Sequence, residues 1–92
     1  MDKRAEPERN KIQADILSFR KGTEHFEGLR AIRIVSRTYN LLIMDGYMSM
    51  IGEIDGALTL IYPDGTMKEY KSVRGFYKHS HDYFEFILRE GE

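Results

Sequence analysis

From Lys11 onward, apolar residues recur at alternate positions or in short runs, and polar clusters punctuate them. Ile12, Ala14 and Ile16 fall on one side of an extended chain, which predicts a strand. Ile12, Ile16 and Phe19 fit a helical face nearly as well, and strand is preferred because the later segments of the chain are strand-like. Lys21-Gly22-Thr23 is a turn signal, and Phe26-Glu27-Gly28 opens a second unit. There Ile32 and Ile34 share one face while Ala31, Arg33 and Val35 share the other. Ser36 to Asn40 is polar and turn-like. Leu41-Leu42-Ile43-Met44 is a continuous apolar run, the pattern of a strand buried on both faces, and it stops at Asp45-Gly46.

Turn signals then arrive at regular intervals. Asp45-Gly46, Asp55-Gly56 and Pro63-Asp64-Gly65 are each about ten residues apart. Asp-Gly supplies the positive φ that tight hairpin turns need, and a preceding Pro presets the first turn position. Between them lie Tyr47–Ile54, Ala57–Tyr62 and Thr66–Val73, with a further turn expected at Arg74-Gly75. In Ala57–Tyr62, Leu58, Leu60 and Tyr62 share a face. Phe76–His79 and Tyr83–Leu88 flank Ser80-His81-Asp82 as a hairpin. Short strands with turns every eight to twelve residues indicate a sandwich or barrel. The expectation is therefore an all-β, small antiparallel sandwich or barrel of about eight to ten short strands. Residues 1–10, polar around Pro7, are expected to form a flexible tail, and residues 11–92 a single domain.

Composition narrows the function more than the fold. At 92 residues the chain suffices for one domain with a modest core. It has no cysteine, which excludes a disulfide framework and a Cys-type zinc site. No apolar stretch approaches the roughly 20 residues of a bilayer-spanning helix, and the charged start is no signal peptide. A cytoplasmic protein without membrane insertion is expected. The net charge of −1 gives no global attraction to nucleic acid. Its distribution is uneven: Thr38 to Met67 has no Lys or Arg but contains Asp45, Glu53, Asp55 and Asp64, and then Lys68, Lys71, Arg74 and Lys78 come in succession.

Nothing in the sequence assembles a catalytic set. No Gly-x-Ser-x-Gly elbow and no phosphate-cradling glycine loop is present. His79-x-His81 is the sole metal-like spacing, and two imidazoles fall short of the three protein ligands zinc requires. Glu53 and Asp55 alternate with Gly52, Ile54 and Gly56, which places both carboxylates on the solvent side of a strand. The chain is read as a non-enzyme with no cofactor, no metal and no small-molecule substrate. Two segments carry a binding signal. Met44, Asp45, Gly46, Tyr47 and Met48 form an apolar turn, and adaptable Met side chains exposed beside a turn suit a protein partner. Lys68, Lys71, Arg74 and Lys78 interleave with Tyr70, Phe76 and Tyr77, a composition suited to a charged partner surface or to single-stranded nucleic acid. The negative net charge argues against nucleic acid.

Taken in order, these motifs resemble the N-terminal β-sandwich of the epsilon subunit of F-type ATP synthases. The elements that carry the resemblance are Phe26-Glu27-Gly28, the alternating Ala31–Val35, the short strand and loop Leu42 to Met48, and Gly52 to Leu60. Asp64-Gly65 and the closing Arg74-Gly75-Phe76 to Leu88 hairpin complete it. It covers roughly residues 12–89. The chain departs from the family pattern where Met44-Asp45-Gly46 replaces a Pro-Gly-His loop and Arg74 replaces the first glycine of Gly-Gly-Phe. The helical hairpin that usually comes after the sandwich is expected to be missing. The resemblance implies a bacterial-type, mechanical stalk subunit that catalyses nothing. It would pack against a gamma-like stalk subunit, touch the rotor ring through Met44–Met48, and sit peripherally to the membrane through that complex. A small β-fold adaptor or regulatory protein with another partner, or a single-stranded nucleic-acid-binding β-barrel, is the alternative.

Overall fold

A computed structural model describes residues 10–91, without the side chain of Glu90; the remainder of the expected tail, residues 1–9, lies outside the described residues. Seven strands succeed one another: β1 (Ile12–Ser18), β2 (Gly22–Leu29), β3 (Ala31–Ser36), β4 (Asn40–Met44), β5 (Met50–Ile61), β6 (Met67–Ser80) and β7 (Tyr83–Glu90). They form one hydrogen-bonded sheet in the order β2-β1-β7-β6-β5-β3-β4. All neighbours are antiparallel except β1 and β7, which run parallel, so the sheet is mixed.

The all-β class expected from the turn rhythm is what forms, but in seven strands rather than eight to ten. The difference lies at Asp55-Gly56 and Arg74-Gly75, where the sequence pattern predicts turns. Both fall inside long strands, because β5 runs unbroken for 12 residues and β6 for 14. Glycine serves there for close approach instead of reversal. A Cβ at Gly56 would collide with the Val35 carbonyl oxygen, and one at Gly75 with the Ile87 carbonyl oxygen. Next to these positions the register shifts: Ala57 faces both Lys71 and Ser72, with Ser72 at φ 55°, and Arg89 is extra on β7. Such bulges bend a strand and increase its twist.

The bends fold the sheet over on itself. The first half of β5 and the second half of β6 lie with β7, β1 and β2; the other halves lie with β3 and β4. Side chains from all seven strands meet in one buried cluster between these halves, including Ile12, Ile32, Ile43, Ile54, Tyr70 and Phe86. Each such side chain stabilises the fold by about 1.5–3 kcal/mol through burial. In β1, Ile12, Ala14 and Ile16 are buried in strand alternation, and Phe19, in the turn that follows, is 95% exposed, so the helical face Ile12–Ile16–Phe19 does not form. Turns at Tyr62–Gly65 and His81-Asp82 form as expected, the latter with φ of 52° and 61°.

The run Leu41–Met44 departs from its expectation. β4 is an edge strand, and only Ile43 is fully buried; Leu42 and Met44 are exposed. Four consecutive apolar residues therefore mark a strand whose outer face is left open, not one covered on both sides.

Candidate protein-binding surface

The turn after β4 is rigidly tied. The Tyr47 N–H donates to the Met44 carbonyl at 3.1 Å, closing Met44-Asp45-Gly46-Tyr47 with Gly46 at φ 76°. Two distant parts of the chain, residues 10–11 and Asp82, hold this turn. Asn10, the last residue of the expected tail, donates its N–H to the Asp45 carboxylate at 2.7 Å. The Gly46 N–H donates to Asp82 Oδ1 at 2.8 Å, and Lys11 pairs with the other Asp82 oxygen at 3.6 Å. Tyr47 is half-buried and packs on the core. Met48 is 69% exposed, and Met44 is exposed at the end of β4.

Met44 also belongs to a row running across the outer face of four strands. It pairs with Ala31, which is buried, Ala31 with the half-buried Ile61, and Ile61 with Met67, which is itself exposed. Methionine at both ends of an apolar row gives an adaptable contact surface. Met67 was not singled out by the sequence pattern, although its place beside the Pro63-Asp64-Gly65 turn was visible.

The basic segment is arranged differently. Lys68 and Lys78 stand near opposite ends of β6. Lys68 lies 5.3 Å from the Tyr70 ring centroid, Lys71 is 3.9 Å from Glu69, Arg74 is 3.6 Å from Asp55, and Lys78 is registered with Glu85. The acidic middle and the basic segment are neighbours because β5 pairs with β6, and Asp55 faces Arg74 across those strands. Tyr70 and Tyr77 point into the core, which leaves Phe76 as the exposed ring of the set. A stacking platform for bases is not what these aromatics build.

On the opposite outer face, His25, Asp15, Glu27 and Tyr83 form a polar cluster. His25 Nδ1 meets Asp15 at 2.5 Å and Nε2 meets Glu27 at 2.9 Å, and the Tyr83 hydroxyl donates to Asp15. These hydrogen bonds hold Asp15 below and His25 above their ordinary values, and Tyr83 is pushed up to about 12 by its bond to Asp15. His79 and His81, the metal-like pair, are separated: His79 is fully buried with neither ring nitrogen hydrogen-bonded, and His81 is an exposed turn residue beside Ser80. Among the described residues no group of three or more His, Asp or Glu side chains could hold a metal. A 490 Å³ cleft between the β3–β4 turn and β5 is lined by Arg37, Tyr39, Glu53 and Tyr77; burial raises Tyr39 well above its ordinary value, keeping it a neutral donor to the Glu53 carbonyl. No nucleophile–base pair is assembled there.

No known family profile matches the sequence, and no curated protein matches it. Solved structures do match in fold. A chain of the Euglena gracilis mitochondrial ATP synthase, in its OSCP/F1/c-ring assembly, superposes with a TM-score of 0.73 at 16% identity over 90% of this chain. A chain of the Tetrahymena thermophila mitochondrial ATP synthase central stalk and c-ring superposes with a TM-score of 0.67 at 12% identity, again over 90% of this chain. This chain spans 53% and 66% of those two chains. The fold is thus one found in ATP synthase stalk and c-ring assemblies. No helix among the described residues is long and apolar enough to cross a membrane.

Proposed function

We propose that this protein is a non-catalytic structural subunit that binds other proteins in a rotary stalk, in the manner of the epsilon sandwich it resembles. The observation that carries this reading is the fold shared over 90% of the chain with chains of two ATP synthase assemblies. The Met44–Met48 turn supports it from the physical side. An exposed Met48 on a turn held by Asp45, Asp82, Asn10 and Lys11 loses little conformational entropy when a partner docks. In this reading the turn and the Met44–Ala31–Ile61–Met67 row contact a gamma-like stalk subunit or the rotor ring. Lys68 and Lys71, on the half of β6 that carries Met67, then act at the rim, where charge steers encounter more than it adds affinity, while Arg74 and Lys78 lie on the other half of β6. The protein works in the cytoplasm, held near the membrane only through its complex, without cofactor or substrate.

Co-purification from the native cell tests this. The wild-type chain is expected to bring down a gamma-like stalk subunit, and Met48→Asp to reduce the yield at least tenfold. Recovery of no stalk subunit overturns the stalk assignment, and unchanged recovery with Met48→Asp overturns the role of the turn.

A further inference from the structure

β3 runs beside β5 only from Ile61 to Gly56, and at Ser36 the chain leaves for the β3–β4 turn. From Met50 to Asp55, β5 therefore has β6 on one side and, among the described residues, no strand on the other. Two sets of hydrogen bonds fix where the backbone groups of this half point. Asp55 turns its N–H and C=O away from β6: Ser36 Oγ accepts from the first at 3.0 Å, and the Arg37 N–H donates to the second at 3.1 Å. The Glu53 carbonyl points the same way and accepts from the Tyr39 hydroxyl at 2.5 Å. Backbone groups alternate sides along an antiparallel strand. The Glu53 N–H and both backbone groups of Ile51 therefore also face away from β6, into the 490 Å³ cleft, where no described residue bonds to them. The other open edges are guarded. β2 carries Glu24, His25 and Glu27, β4 has only five residues, and the first half of β6 carries Lys68, Glu69 and Lys71 and ends at the Ser72 bulge. Charge, short length and bulges keep an edge from pairing with another chain. From Met50 to Ile54, β5 has no Lys, no Pro and no bulge.

We propose that the Ile51–Glu53 edge takes an extended segment of a partner protein as an added antiparallel strand. Unpaired N–H and C=O groups in a row are answered by main chain, which is how strand addition gains its affinity. The incoming residue opposite Ile51 exchanges two hydrogen bonds with it. The incoming residue opposite Glu53 accepts from the Glu53 N–H, while Tyr39 keeps the Glu53 carbonyl. Both incoming side chains then share the outer face with those of Ile51 and Glu53. Ile51 is 79% exposed there. The Glu53 carboxylate is exposed and forms no ion pair among the described residues, whereas Asp55 is already held by Arg37 and Arg74. The segment therefore sets an apolar residue against Ile51 and a Lys or Arg against Glu53. The residue between them passes Gly52 and faces the Tyr39 and Tyr77 hydroxyls, where a small or polar side chain fits. The β3–β4 turn walls the far side of the cleft. A lone extended segment enters such a slot, whereas a second folded copy would bring a sandwich about 10 Å thick against that wall. This goes beyond the role of the Met48 turn, since the edge uses no residue of that turn.

Three fluorescent eight-residue peptides probe the full-length chain. The first sets Thr around a central Lys-Ser-Val, which meets Glu53, Gly52 and Ile51 in antiparallel order. The second replaces the Lys by Glu, and the third is the first with its Val N-methylated. The Lys peptide is expected to bind at least fivefold more tightly than the Glu peptide. It is expected to bind at least tenfold more tightly than the N-methyl peptide, which keeps every side chain and loses the donor to the Ile51 carbonyl. Amide hydrogen exchange is expected to be fast at Ile51 and Glu53 in the chain alone and at least tenfold slower with the Lys peptide. Gly52 and Ile54, whose N–H groups face β6, stay protected throughout. Ile51→Pro removes one unpaired N–H and no bond to β6, a change that edge strands tolerate, and is expected to weaken the Lys peptide at least tenfold. Glu53→Lys alters only an exposed side chain, so it keeps the test open should Ile51→Pro unfold the chain; it is expected to reverse the preference between the Lys and Glu peptides. Met48→Asp is expected to change nothing. A Lys peptide that does not bind, an N-methyl peptide that binds equally, an unchanged preference with Glu53→Lys, or loss with Met48→Asp overturns the proposal. So does sedimentation of the chain as a dimer that Ile51→Pro dissociates, since a second copy would then hold the edge. Failure here leaves co-purification through Met48 untouched, so the two assignments stand or fall separately.

Discussion

The Tyr70 hydroxyl on β6 donates to the Glu24 carboxylate on β2 at 2.7 Å, although β1 and β7 lie between those strands in the sheet. Within a flat sheet, strands three places apart stand about 14 Å from each other. The bond therefore exists only because the bulged β5–β6 hairpin folds one half of the sheet over the other. Tyr70 fills the space between the halves with its ring and carries its polar end to the opposite edge.

Tyr70→Phe keeps the ring and removes the bond. It is expected to cost about 1 kcal/mol, lowering Tm by about 4–8 °C in a chain of this size. A double-mutant cycle with Glu24→Gln, read by urea unfolding, should assign most of the loss to the pair. Additive losses would show that the bond contributes nothing of its own.

The glycines of the long strands should rank by what a Cβ would strike. Gly56→Ala and Gly75→Ala meet backbone carbonyls and are expected to cost about 2–3 kcal/mol each. Gly52→Ala meets the buried Tyr77 ring, a side chain that yields more readily than backbone, and is expected to cost about 1–2 kcal/mol. Urea midpoints of the three variants check the order.

His79 is expected to make the protein sensitive to acid. Burial holds its pKa below the ordinary 6.5, with the attraction of Asp82 opposing weakly; Met50 and Phe84, its partners on β5 and β7, bring no charge. Below pH 6.5 the unfolded chain takes up a proton that the folded chain resists, so stability is full above 6.5 and falls as pH drops through the lowered value. His79→Leu removes two buried, unpaired nitrogens and is expected to stabilise by about 1 kcal/mol and to flatten the profile between pH 7 and about 5. Thermal melts across that range decide it.

His25 acts with the opposite sign. Its bonds to Asp15 and Glu27 raise its pKa, so its contribution is present below 6.5 and fades as pH rises through the raised value. Asp15→Asn is expected to move the His25 titration down toward 6.5 and that of Tyr83 from about 12 toward 10.0. An NMR titration of the imidazole and phenol resonances reads both shifts.

Variants of the Met44–Met48 turn should separate docking from folding. Met48→Asp changes an exposed side chain and is expected to alter stability by less than about 0.5 kcal/mol. Tyr47→Asp removes a ring packed on the core and is expected to cost more than about 2 kcal/mol. Equal losses in the two would mean that Met48 is not free on the surface.

Alternation is a local property of extended chain, and the strands were legible from it. Ile12, Ala14 and Ile16, Ile32 and Ile34, and Leu58 and Leu60 all point inward as their spacing says. The Pro63-Asp64-Gly65 and His81-Asp82 reversals were legible too, because positive φ and a preset proline act within four residues. What Gly56 and Gly75 do was not legible, since a glycine that lets a neighbouring strand approach reads the same as one that turns the chain. Nor could spacing show that Leu42 and Met44 stay exposed, because burial on a second face depends on whether another strand or layer arrives there. By itself the sequence determined an all-β chain, its inward faces and its tight turns. Only the tertiary structure decided which strands lie at the edges, that Asp55 and Arg74 answer each other, and that Asp82 holds Gly46, because each of these depends on residues brought together by the folding of the sheet.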